Sequence, residues 1–61
     1  MTNETQFKAI IQATKDGRLD KVREIWRSFN QREKTAFRLW IDHDMLTDLQ
    51  AFELFNTLKN Y

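Results

Sequence analysis

The sequence predicts an all-α fold, a small bundle of three to four short helices around a central helix, completed by dimerisation. Three observations predict it. Apolar residues recur at spacings of three and four along nearly the whole chain. Three cap signals, Asn3 with Gln6, Asn30 with Glu33 and Thr47 with Gln50, mark helix starts. One glycine and no proline leave no linker within the 61 residues, which read as a single helical domain, 1–61.

The first helix runs from Glu4 to Lys15 behind Asn3, with Phe7, Ile10, Ile11 and Thr14 in a stripe about 100° wide. Asp16-Gly17 ends it, because glycine takes the left-handed conformation that closes a helix. The second runs from Leu19 to Phe29. Leu19, Val22, Ile25, Trp26 and Phe29 lie within an arc of about 120°, opposite Asp20, Arg23, Glu24 and Arg27. The short connection at Gly17 pairs the two as a hairpin.

The third helix starts near Gln31, continues through Thr35–Leu46, the stretch that organises the rest, and loses regularity around Asp44 to Leu46. Its apolar residues Ala36, Phe37, Leu39, Trp40, Ile41, Met45 and Leu46 sweep roughly 260° of helix circumference and leave a polar wedge only at Thr35, Arg38 and Asp42. Such a helix must be surrounded, so it is expected to be the central post. The last helix, Asp48 to Lys59, spreads Ala51, Phe52, Leu54, Phe55, Leu58 and Tyr61 over about 180°, wider than one buried face requires.

That surplus has a consequence for a short chain. A chain of this length hides only about 60% of the surface its unfolded form exposes, and without cysteine it has neither disulfides nor thiolate metal sites to add stability. Association with a second copy supplies the missing buried area. Trp40, Phe52, Phe55, Leu58 and Tyr61 are the expected interface residues, aromatics in desolvated pockets being the usual anchors.

Charge narrows the function classes. The net charge of +1 argues against a protein that lives off phosphate contacts. Its distribution is uneven: residues 15–38 carry eight Lys or Arg against four acids, and residues 39–61 carry four acids against Lys59. Such a dipolar chain suits a second copy or a charged partner. No run of about 18 apolar residues exists, and Met1–Thr5 lacks the basic-then-apolar order of a signal peptide. A cytoplasmic protein without membrane contact is expected.

Motifs for chemistry are sparse. A small residue, Ala13, four before Gly17 matches a DNA-binding helix-turn-helix, but Gln12, Asp16, Arg18 and Arg23 then occupy positions that need apolar contacts. If nucleic acid is a partner, Arg18, Arg23 and Arg27 carry its phosphates. Asp42, Asp44 and Glu53 fall at the first, third and twelfth positions of a calcium loop, yet Leu46 replaces a ligand and Thr47 the turn glycine. His43 falls inside the apolar arc, where one hydrogen-bond partner suffices. The His43-Asp44 pair lacks the further ligands of a metal phosphohydrolase, and Ser28 lacks a base. No catalytic residue, cofactor or metal is expected.

The segment Ile11–Val22 resembles the helical hairpin of one ankyrin repeat, without its Thr-Pro-Leu-His signature or a second repeat to stack on. The opening Thr2-Asn3-Glu4-Thr5-Gln6-Phe7-Lys8-Ala9-Ile10-Ile11 and the block Phe37-Arg38-Leu39-Trp40-Ile41 resemble the small early proteins of the recombination region of lambda-like phages. That resemblance implies a non-enzymatic accessory factor of the host cytoplasm, acting on host or phage regulatory proteins through protein contacts, and it transfers no functional residue. The sequence thus reads as a homodimeric regulator that works by protein–protein interaction. The alternative is a small DNA-binding regulator using Arg18, Arg23 and Arg27.

Overall fold

The structure, a computed structural model, describes residues 4–59 apart from the side chain of His43. Asn3, the expected cap of the first helix, and Tyr61, an expected interface residue, lie outside the described residues. Among the described residues four α-helices follow one another: α1 (Glu4–Lys15), α2 (Leu19–Arg27), α3 (Gln31–Trp40) and α4 (Asp48–Leu58), with one 3-10 turn at His43–Met45 before the last. The all-α bundle expected from the periodicity is the fold observed.

Local chemistry fixes the boundaries. Gly17 sits at φ +73°, the left-handed conformation that lets the chain reverse between α1 and α2, and the Arg18 N–H then closes on the Ala13 carbonyl at 2.8 Å. The second helix stops at Arg27 rather than at Phe29. The Ser28 hydroxyl donates to the Ile25 carbonyl at 2.6 Å, and Phe29 turns into the core from beyond the helix end. Both remaining cap signals form reciprocal boxes. The Asn30 side chain accepts from the Glu33 N–H at 2.8 Å while Glu33 accepts from the Asn30 N–H at 2.8 Å. Thr47 and Gln50 do the same at 3.2 and 3.1 Å.

The core is an aromatic cluster with an aliphatic shell. The Phe7 ring meets Phe29, Phe37 and Trp40 at centroid distances of 5.7, 5.4 and 5.3 Å, and Trp26 meets Phe29 and Phe37 at 5.6 Å each. Phe7–Phe29, Phe7–Phe37 and Trp26–Phe37 are edge-to-face, the arrangement that aligns a ring's positive edge with its neighbour's negative face. Lys34 places its ammonium 5.6 Å from the Trp26 ring centroid, closing the cluster with a cation. Ile10, Val22 and Leu54 are fully enclosed around it.

The central post is elsewhere than the periodicity indicated. The helix that should have run through Leu46 ends at Trp40, and Ile41 is already extended at ψ 138°. Beyond the break the Asp42 carboxylate accepts from the Asp44 N–H at 3.4 Å and caps the 3-10 turn. Ile41, Met45 and Leu46 therefore leave the helix surface, and the 260° arc dissolves. The third helix buries Phe37 and turns Leu39 and Ala36 to solvent. The centre is shared instead by α1, α2 and α4, which pack against one another, and α1 buries Phe7, Ile10, Ile11, Ala13 and Thr14 there.

Candidate functional site

Helix α4 has two apolar faces, and the bundle covers one. Leu54 and Leu58 point inward and are buried. Leu49, Phe52 and Phe55 point outward, with 67, 68 and 41% of their surface exposed. The capping box at Thr47 fixes where the helix begins, and the packing of α4 against α1 and α2 decides which side faces outward. At about 100° per residue, Asp48, Phe52, Phe55 and Lys59 follow one another along a single line at spacings of four, three and four.

The relief of this face is shallow and apolar. Asp48, Ala51, Phe52, Phe55, Asn56 and Lys59 line an open depression of about 450 Å³. A second, of about 300 Å³, lies on the other side of Phe55 against Ile41, Asp42 and Leu46. Enclosing sites for small molecules take most of the ligand out of water; open depressions with an apolar floor and charges at the rim have the anatomy of a protein interface. Burying an exposed phenylalanine contributes about 1.5–3 kcal/mol before the cost of association is subtracted.

Of the five residues expected at an interface, Phe52 and Phe55 stand on this face. Trp40 is half-buried, packed on Phe7 and Phe37. Leu58 requires a correction: with 3% exposed it belongs to the core, because it lies one turn beyond Leu54 on the inward side of α4. Two exposed residues escaped the sequence reading. Leu49 stands three before Phe52 and shares its side of the helix, a spacing visible in the sequence. Leu39, 83% exposed on α3, was assigned to an arc that the break at Ile41 removed.

Arg23 and Arg27, four apart, share a side of α2, and Arg18 lies apart from them before the helix. Arg18 lies 3.7 Å from the Asp20 carboxylate at the start of α2. Arg23 is partly buried, and Asp20 and Glu24 lie between Arg27 and Lys21 around the exposed side of the helix. The acidic residues spaced like a calcium loop are also apart in role: Asp42 caps the 3-10 turn, and Glu53 lies within α4. Among the described residues no three His, Cys, Asp or Glu side chains are grouped to hold a metal ion. Ser28 uses its hydroxyl on the backbone of its own helix. Among the same residues no helix is long and apolar enough to cross a membrane. No family model matches this chain, and neither a curated protein nor a solved structure shows significant similarity to it.

Proposed function

We propose that this protein is a non-enzymatic accessory regulator that associates as a homodimer and acts through protein–protein contacts, with the outer face of α4 as its working surface. The observation that carries this reading is the alignment of Leu49, Phe52 and Phe55 in solvent on one side of one helix, while the aromatic rings of α1 and α2 are enclosed. Single exposed apolar residues are ordinary, but a contiguous group rimmed by charge marks association. The likeness to early proteins of lambda-like phages favours a host or phage regulatory protein as the further partner.

Sedimentation equilibrium tests the reading. The wild-type chain of 7.4 kDa is expected to reach twice that mass as its concentration rises. Phe52→Ser should hold it at the monomer mass with its helical circular dichroism intact. A folded wild-type monomer at every concentration up to millimolar would contradict the proposal.

A further inference from the structure

We propose that two copies of this chain pair through α4 in an antiparallel, two-fold arrangement, with Asp48 of each copy against Lys59 of the other and Phe52 of each against Phe55 of the other. This rests on the homodimer reading above and adds its register.

The argument lies in the residues that line the α4 depression: Asp48, Ala51, Phe52, Phe55, Asn56 and Lys59. A two-fold axis across an antiparallel helix pair brings each position opposite its mirror position along the helix. Placed between Phe52 and Phe55, it sets Asp48 opposite Lys59 and Phe52 opposite Phe55, with Ala51 beside its own copy on one flank of the seam and Asn56 beside its own copy on the other. Every lining residue then finds another lining residue. A two-fold interface must be self-complementary, and this set is.

Each pairing is also chemically sound. The ends match an acid with a base, the middle matches aromatic with aromatic, and the flanks match alanine with alanine and amide with amide. The steps of four, three and four residues from Asp48 to Lys59 form the seam along which two helices interdigitate. Asp48 lies in the first turn of α4 and Lys59 caps its last, so each charge suits the end of its own helix. A parallel pairing would instead set Asp48 against Asp48 and Lys59 against Lys59, and like charges in contact disfavour that register.

The test uses reciprocal charge reversals in the full chain, read by sedimentation equilibrium, with circular dichroism confirming that each variant folds. Asp48→Lys alone and Lys59→Asp alone should each weaken the dimer, by about tenfold, because each turns two attractive contacts into repulsive ones. An equimolar mixture of the two variants should recover wild-type affinity, since every contact in the mixed dimer is again acid on base. The double variant D48K/K59D should recover it too. The recovery separates register from folding, because helix destabilisation in either chain would persist in the mixture.

Single variants that dimerise as tightly as wild type, or a mixture tighter than wild type, would assign the parallel register and overturn the proposal. A dimer that Phe52→Ser abolishes but whose charge mixture recovers nothing would overturn the register while leaving the proposed function standing. A wild type that stays monomeric would overturn both.

Discussion

Helices α1 and α4 are nearly equal in length, 12 and 11 residues, and each packs against α2, yet they spend their apolar residues differently. The first helix puts Phe7, Ile10, Ile11 and Ala13 inside the bundle, and even its Thr14 is buried, donating its hydroxyl to the Ile10 carbonyl at 2.9 Å. Its outer face is polar, with Glu4 and Lys8 paired at 3.4 Å. The last helix puts Leu54 and Leu58 inside and leaves Leu49, Phe52 and Phe55 outside. The lesson is that apolar content divides into what the fold consumes and what it leaves over, and only the remainder bears on partners.

The largest effect expected from breaking this contrast comes from its inner side. Trp26→Ala removes a fully enclosed ring and should cost about 3–5 kcal/mol, comparable to the whole stability of a chain this size, about 3–9 kcal/mol. Loss of the helical circular dichroism signal at room temperature is the expected outcome. Intermediate effects come from the caps that set each helix in register. Asn30→Ala and Thr47→Ala each remove one half of a reciprocal box and should lower stability by about 1 kcal/mol, read from the urea midpoint. The smallest effect sharpens the contrast most. Phe52→Ser should change the stability of the dilute monomer by no more than about 0.5 kcal/mol, because the ring has little fold to support.

Much of the fold was legible because local signals carry their own mechanism. Asn30 with Glu33, Thr47 with Gln50, and Gly17 act through backbone groups a few residues away, so no tertiary context was needed to read them. The end of the third helix was not legible in the same way. Ile41, Met45 and Leu46 keep a helical period across the break, and neither glycine nor proline marks it. The local mark of the new turn is the Asp42 carboxylate accepting from a backbone N–H two residues on, a signal carried by one short polar side chain. A helix continued to Leu46 would set α3 at the centre, whereas α1, α2 and α4 pack on one another and Leu39 is exposed.

The candidate face was legible in part. An apolar arc of about 180° on the last helix announced a surplus, and Phe52 and Phe55 prove to be that surplus. Which of the remaining apolar residues turned inward depended on how α4 rolls against α1 and α2, which periodicity alone does not give. Leu58 went to the core and Leu49 to solvent for that reason.

The central claim is that the outer face of α4, and not the bundle as a whole, is the site of self-association. Backbone amide spectra recorded on dilution from millimolar to micromolar concentration test it most directly. Concentration-dependent shifts are expected to concentrate on Asp48, Phe52, Phe55 and Lys59, with Ile10 and Val22 unmoved. Shifts confined to α1 and α2, or spectra that do not change with concentration, would contradict it.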